Sequence, residues 1–371
     1  MNCKELWSFK YHAPILGVEI SDINGNDQKE ILAYTKTGTV LILSLEGKLL
    51  SENKIVENSS IWCARITDLN NDGENAIILG GLDGILRVFK SSDSYSLNPL
   101  WGHQFGASIG GLLSSDISND GNQEIIAYSL DRSIRVLSQN DGNLVWGQVF
   151  EDGIGDAMIW EENKDRENME VVACGNDGTL RIFNGKSGEL IWHKRFPNKM
   201  RCVARLNSAE GLIISCGGDD RILHFIDKNT RQEVKCMEFE DYVWKSLAFP
   251  NDQYDKILAS TYSFAYFDES IQMDTIKFSS KIVCIDNNLE VPWEIEGKNV
   301  ECLNASEKNG TSLALVGTTP GEILMVDSNT GKILLKNKKN SCINMVQVLP
   351  DLKIIVSCDD DGQIYACIIE D

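Results

Sequence analysis

The chain has 371 residues, of which 42% are apolar, and a formal net charge of −20. So large an acidic excess argues against binding to nucleic acid or to anionic membrane surfaces, because both require clustered cations. No apolar run reaches the ~18–20 residues of a membrane-spanning helix, so we expect no membrane insertion. The opening residues lack the basic and apolar segments of a secretion signal. Eleven cysteines without a CxxC pair therefore predict free thiols in a reducing cytoplasm.

The first predicted element is a strand near the N-terminus, Leu6-Trp7-Ser-Phe-Lys-Tyr11. The same pattern recurs at residues 100–105, 145–150 and 191–196, each time as the last strand of a repeat. The final repeat stops at Ile369, one strand short. We therefore expect residues 4–11 to complete the last repeat and close a ring, which hides the sheet edges that would otherwise recruit other chains.

A tight turn marks the repeats between these two ends. Its copies are Thr37-Gly38, Asp83-Gly84, Asp131-Arg132, Asp177-Gly178, Asp220-Arg221, Pro320-Gly321 and Asp361-Gly362. Their spacing is about 46 residues, and one double-length interval after Arg221 indicates a copy that has lost its turn. Repeated four-strand units of ~40–50 residues are typical of β-propeller blades.

The predicted fold is therefore all-β, a single domain over residues 1–371 that forms one eight-bladed β-propeller. The blades are expected near 16–55, 61–105, 109–150, 156–196, 201–240, 243–296, 299–338, and 341–371 together with 4–11. A seven-bladed alternative stays open if the irregular sixth copy is absorbed into its neighbours. Small residues are expected on the crowded innermost strands, at Gly17, Cys63, Gly111, Cys202, Ser246, Cys302 and Cys342.

Three loops between first and second strands are rich in oxygen ligands. Their candidate ligands are Asp22, Asn24, Asn26 and Glu30; Asp68, Asn70 and Asp72; and Asp116, Ser118, Asp120 and Glu124. Side chains at positions one, three, five and nine of a tight loop can converge on Ca²⁺. The second loop has Ala76 at position nine, and the first has no glycine after Asn26. The alternative is a turn held by Asx side chains that bond to the backbone.

Blade six carries an insertion, at about residues 262–281, that contains Tyr262, Phe264, Tyr266 and Phe267. In a propeller this loop shares a face with the inter-blade connections, which here carry Trp62, Arg201, Tyr242 and Trp244. Exposed aromatic residues with an arginine are enriched at protein-binding surfaces. We predict a partner-binding site from these eight residues. In the alternative, the insertion folds back and fills the channel with its own aromatic rings.

The loop pattern, followed by Gly-x-x-Asp-Gly-x-Leu-x-Val-Phe, resembles the FG-GAP repeat of integrin-α-type propellers. Among proteins with this repeat, the chain most resembles the intracellular scaffold propellers. The stretch from Asp177 to Trp192 also resembles the tryptophan-docking repeat of quinoprotein-like propellers. Together the two resemblances cover nearly the whole chain. They imply the propeller fold and, from the FG-GAP repeat, Ca²⁺ at the loop positions named above.

The functional prediction is a non-catalytic cytoplasmic scaffold that binds other proteins. The alternative is a quinoprotein-like enzyme that binds a quinone or another small ligand. The sequence has no vicinal cysteines and no Gly-rich phosphate loop, nucleophile elbow or HExxH motif, and its four histidines lie at unrelated repeat positions. These observations favour the scaffold over the enzyme, and they leave the oligomeric state undetermined.

Overall fold

A computed structural model describes residues 2–161, 169–249, 255–263, 280–297, 299–308, 311–349 and 353–370. In these residues 32 strands form eight four-stranded sheets. No helix among them is long and apolar enough to cross a membrane. The chain divides into two compact units. The N-terminal unit comprises residues 7–196 and 361–364, and the C-terminal unit comprises residues 1–6, 197–360 and 365–371.

Blades one to four belong to the N-terminal unit, and in each the four strands pair antiparallel in chain order. Their strands are β2 (Ile15–Ser21), β3 (Glu30–Thr35), β4 (Thr39–Ser44) and β5 (Leu49–Lys54); β6 (Ile61–Thr67), β7 (Ala76–Gly81), β8 (Ile85–Ser91) and β9 (Leu97–Gln104); β10 (Ile109–Ser115), β11 (Glu124–Ser129), β12 (Ser133–Leu137) and β13 (Leu144–Val149); β14 (Ile154–Trp160), β15 (Glu170–Gly175), β16 (Thr179–Asn184) and β17 (Leu190–Arg195).

The remaining blades follow the same order. Their strands are β18 (Met200–Ser208), β19 (Gly211–Gly218), β20 (Ile222–Asp227) and β21 (Glu233–Glu238); β22 (Tyr242–Ala248), β23 (Lys256–Tyr262), β24 (Lys281–Asp286) and β25 (Trp293–Glu296); β26 (Val300–Lys308), β27 (Thr311–Thr318), β28 (Glu322–Asp327) and β29 (Ile333–Lys338); β30 (Ile343–Leu349), β31 (Ile354–Asp359) and β32 (Gln363–Glu370). The N-terminal strand β1 (Asn2–Lys10) pairs with β32 and completes the last sheet.

The fold is thus an eight-bladed β-propeller, and the expected role of the N-terminal strand is confirmed. The seven-bladed alternative is wrong, because the sixth copy forms its own sheet of β22 to β25. The prediction of a single domain over residues 1–371 stays a prediction.

The turn used to align the repeats has one backbone conformation throughout. Its second residue has a positive φ in all seven copies: Gly38 at 82°, Gly84 at 74°, Arg132 at 75°, Gly178 at 77°, Arg221 at 66°, Gly321 at 90° and Gly362 at 81°. This left-handed region favours glycine because a Cβ atom is strained there. The shared conformation confirms that these turns are equivalent.

Tryptophans on the outer strands dock onto the next blade. The indole Nε1 of Trp101 donates to the carbonyl of Gln139 at 3.0 Å, and that of Trp146 to Gly185 at 2.6 Å. Trp7 on β1 does the same to Leu45 at 2.8 Å. Its ring also lies over Gly47, where an added Cβ would be 2.4 Å from the indole. Strand β1 therefore makes the contacts of a fourth strand.

Small residues on the innermost strands have a local cause. A Cβ on Gly17 would lie 2.0 Å from the hydroxyl oxygen of Tyr34, and one on Gly111 would lie 2.2 Å from that of Tyr128. Each tyrosine comes from the second strand of the same blade, pairs with the glycine in the ladder and fills the space beside it. The small residues were predicted, but the reason in these two blades is a neighbouring ring rather than crowding by other strands.

Candidate functional site

The turns between second and third strands lie at the same end of each blade as the inter-blade connections. In blade two the Leu82 amide donates to the Ser60 carbonyl at 2.9 Å, and in blade five the Asp219 amide donates to the Lys199 carbonyl at 2.8 Å. We call this the hairpin end. The expectation that the two kinds of loop share one face is confirmed for these blades.

Three of the predicted partner-binding residues form one cluster at the hairpin end of blades five and six. The guanidinium carbon of Arg201 lies 4.6 Å from the ring centroid of Trp244. The rings of Trp244 and Tyr262 have centroids 5.0 Å apart at 37°. We call Arg201, Trp244 and Tyr262 the aromatic cluster. Cation–π and ring contacts of this kind hold the side chains in one arrangement.

Polar contacts orient both ends of the aromatic cluster. Arg201 donates from Nη2 to Asp219 at 2.9 Å, and its Nε also bonds to that carboxylate. The Tyr262 hydroxyl donates to Glu301 Oε1 at 3.0 Å, and Thr319 donates to the same oxygen at 2.8 Å. Burial, together with the Glu301 charge, raises the pKa of Tyr262 to about 12, so the phenol keeps its proton.

The other predicted residues lie in several places. Tyr242 begins β22, with its ring centroid 5.6 Å from the guanidinium carbon of Arg221. Phe264, Tyr266 and Phe267 lie outside the described residues. The base of their insertion is held by two hydrogen bonds of 3.0 Å between the backbone of Ser263 and the side chain of Asn299. Binding and channel filling by this insertion both stay predictions.

Trp62 lies in the N-terminal unit and is 50% exposed. Leu82 and Leu130, at the hairpin ends of blades two and three, are 44% and 51% exposed. Sequence reasoning missed these two leucines. The available signal was an aliphatic side chain at the start of a turn where blades four and five have Asn176 and Asp219. Exposed apolar side chains in neighbouring blades are the kind of surface that protein partners cover.

In the acidic loops, the aspartate side chain at position one accepts hydrogen bonds from the backbone of its own loop. Both carboxylate oxygens of Asp22 accept N–H groups, from Gly25 at 2.8 Å and from Asp27 at 2.8 Å. Asp116 likewise accepts from Asp120 at 2.9 Å and from Gly121 at 3.1 Å. These bonds are what the Asx-turn alternative describes.

At position three of the first and third loops, the side-chain oxygen does not bond to the loop backbone in this way. Asn24 Oδ1 and Ser118 Oγ are buried and have no hydrogen-bond partner among the residues that the structure describes. Among the described residues, no three His, Cys, Asp or Glu side chains are grouped to hold a metal ion. Ca²⁺ binding at the loop positions of Asp22, Asp68 and Asp116 stays a prediction.

A polar cleft of about 380 Å³ opens beside the third loop. It is lined by Arg65, Thr67, Asn71, Ser114, Ser115, Asp116, Gln123 and Glu161. Arg65 donates from Nε to the Ser114 hydroxyl at 2.7 Å, and burial lowers its pKa. None of these lining residues offers an aromatic ring on which a quinone could stack.

Residues 40–146, which run from β4 into β13, match the family model of the KICSTOR complex protein kaptin. No curated protein matches the chain significantly.

Solved structures resemble the chain over its full length. Sqt1 from Saccharomyces cerevisiae has a TM-score of 0.77 at 10% identity, with 100% of each chain covered. The computationally designed protein Ika8 has a TM-score of 0.74 at 16% identity, over 99% of this chain and 100% of Ika8. BamB from Moraxella catarrhalis has a TM-score of 0.64 at 13% identity, over 99% of this chain and 100% of BamB. At these identities the likeness shows the propeller fold alone.

Proposed function

We propose that this chain is a non-catalytic propeller scaffold that acts as a subunit of a cytoplasmic protein complex. The observation that carries the proposal is the match of residues 40–146 to a family named for the KICSTOR complex. By analogy with that family name, we propose that the complex is related to the KICSTOR complex. The closed blades supply a stiff support, and their loops are free to carry binding residues.

Two surfaces supply the contacts in this proposal. One is the aromatic cluster, in which Trp244 is ordered between Arg201 and Tyr262. Its fixed rings lose little conformational freedom on binding, which favours affinity. The other is the exposed apolar group of Trp62, Leu82 and Leu130.

The cytoplasmic part of the proposal is supported by the thiols. No disulfide joins the ten cysteines whose side chains the structure describes. Burial raises the pKa of Cys63 to about 12 and that of Cys302 to about 11, which suppresses the reactive thiolate. Seven of the ten are buried and Cys236 is exposed, and free thiols of both kinds persist in a reducing compartment.

The test is capture of the tagged full chain from its source cells, with stoichiometry measured by mass spectrometry. We expect stoichiometric partners that are homologues of KICSTOR subunits. The double variant Trp62→Ser and Leu82→Ser should lower their recovery at least tenfold. The matched control Leu190→Ser changes an exposed apolar residue on an outer strand (43% exposed) and should leave recovery unchanged. A chain recovered alone would refute the proposal, and equal recovery by the double variant would remove Trp62 and Leu82 from the contact surface.

A further inference from the structure

Strand β13 is the outer edge of blade three, and it lacks the residues that usually protect such an edge. Its sequence, Leu144-Val-Trp-Gly-Gln-Val149, has no charge and no proline. Strand β9 has Pro99, and the six remaining outer strands each contain a charged residue. Charges and prolines on edge strands prevent pairing with other chains.

One repeat position makes the difference explicit. The residue that pairs with the first residue of the third strand is Lys54, Gln104, Arg195, Glu238, Glu296 or Lys338 in six other blades. In blade three it is Val149, paired with Ser133 and 63% exposed. Leu144 and Val145 on the same strand are 54% and 48% exposed. An apolar side chain therefore replaces a polar or charged one at an exposed position of the outer strand.

The backbone of this strand has hydrogen-bonding groups that point outwards. The Phe150 amide donates to the Arg132 carbonyl at 2.7 Å, inside the sheet. Because inward and outward groups alternate along an antiparallel strand, Gly147 and Val149 direct their N–H and C=O groups away from β12. The Val149 carbonyl accepts from Arg181 Nη1 at 2.9 Å. Within the described parts of the chain, both groups of Gly147 and the amide of Val149 remain for another strand.

The side chains of β13 leave an open space on one face of the strand, beside the outward backbone groups. Trp146 and Gln148 point to blade four, where they donate to the carbonyls of Gly185 and Gly188. Val145 and Val149 lie on the other side, with Gly147 between them. A Cβ at Gly147 would meet no atom closer than 3.6 Å, so there is room over the glycine. A β-branched or aromatic residue on an added strand would pack there, between the two valines.

We propose that β13 is a docking strand for an extended segment of another protein, one with alternating apolar residues flanked by lysine or arginine. The inference rests on the proposed function, since it names the chemistry of one protein partner. Exposed acids flank the strand at both ends, Asp141 before it and Glu151 and Asp152 after it. Arg195 offsets Glu151 through an exposed ion pair of 2.8 Å, and the whole chain carries −20. Arg132, whose carbonyl accepts from the Phe150 amide, is also exposed. The overall negative field is therefore what chiefly favours a basic segment.

The same charges disfavour a second copy of this chain on β13. An antiparallel pair of two β13 strands would place Asp141 of one copy near Glu151 and Asp152 of the other. Like charges opposite each other destabilise such a pair.

The experiment uses a fluorescein-labelled peptide, Lys-Lys-Thr-Val-Thr-Phe-Thr-Val-Lys-Lys, and fluorescence anisotropy with the full chain. Val149→Lys should weaken binding at least tenfold. This variant is expected to fold, because Lys54 at the same repeat position donates to the Thr37 carbonyl at 2.8 Å. The matched control Gln104→Lys adds the same charge to β9 and should bind like the wild type. A peptide with glutamate in place of every lysine should bind at least tenfold more weakly.

Hydrogen exchange gives a second readout, in which the amides of Gly147 and Val149 should become protected when the peptide binds. No binding, or equal binding by wild type and Val149→Lys, overturns the inference. A wild-type dimer that Val149→Lys converts to a monomer also overturns it, in favour of a second copy. In the capture experiment of the proposed function, the Val149→Lys chain could still recover every partner. That result would refute β13 as a docking strand but would leave the proposed function unaffected.

Discussion

His224 in blade five occupies the repeat position that Arg181 occupies in blade four. Arg181 bonds to Asp177 at 2.9 Å, and His224 Nε2 bonds to Asp220 at 3.0 Å while Nδ1 lies 3.1 Å from Glu233. A permanently charged side chain is thus replaced by one that titrates near neutral pH. The sequence shows the substitution, but Glu233 as the second partner depends on the pairing of β20 with β21.

We predict that His224 makes stability depend on pH. Burial lowers the pKa of His224, but the hydrogen bonds and charges of Asp220 and Glu233 outweigh burial and raise it. A raised pKa in the folded state gives a stabilisation that is fully present below the unfolded-state value of about 6.5. It is lost as the pH rises through the folded-state pKa.

The measurement is the melting temperature of wild type and variants between pH 6 and pH 9. His224→Arg keeps its charge over this range, so its stability relative to the wild type should increase with pH. The glutamine of His224→Gln is never charged. The melting temperature of this variant should therefore fall furthest below that of the wild type at pH 6. If the differences in melting temperature between wild type and variants stay constant from pH 6 to pH 9, His224 does not titrate in this way.

At the scale of the element, the loop between β10 and β11 shows what the sequence can and cannot decide. The spacing of Asp116, Ser118, Asp120 and Glu124 allows either a cation site or an Asx turn. In the folded protein the carboxylates of Asp116 and Glu124 accept backbone N–H groups of the loop. Sequence spacing does not encode that choice, because the same oxygens serve both purposes.

We predict that Asp116 stabilises the loop without any cation. In EDTA, Asp116→Ala should lower the free energy of unfolding by about 1–3 kcal/mol, because two N–H groups lose their acceptor. The exposed Asp120 accepts from Asn122 at 2.8 Å, so Asp120→Ala is the milder control and should cost less than about 1 kcal/mol. Thermal melts then compare EDTA with Ca²⁺. A Ca²⁺-dependent rise in the wild-type melting temperature that Asp116→Ala abolishes would identify a cation site instead.

For the whole molecule, the repeat predicted blade number and closure correctly. The tryptophan pattern around Trp7 sufficed because it repeats the outer-strand pattern of residues 100–105, 145–150 and 191–196. The sequence was less informative about the surface. The distance between Trp244 and Arg201 depends on how blades five and six pack, and the exposure of Leu130 depends on the turn that carries it. A periodic pattern specifies neither the packing between blades nor the exposure of a side chain in a turn.

The last prediction concerns closure by β1. Deletion of residues 1–11 would expose β32, whose central residues from Ile364 to Ile369 are apolar or uncharged. An apolar edge without charges pairs with other chains. The truncated protein should therefore form oligomers in size-exclusion chromatography with light scattering, and should melt at a lower temperature than the full chain.

A peptide of residues 1–12 added in trans should restore the monomer, because it supplies the missing strand. Replacement of Trp7 by alanine in that peptide should weaken the rescue, since the indole bond to Leu45 and the contact with Gly47 are lost. In the intact chain, Trp7→Ala should cost about 2–4 kcal/mol, less than a fully buried tryptophan because the ring is only partly covered. A truncated chain that stays monomeric with an unchanged melting temperature would show that the last blade is stable with three strands.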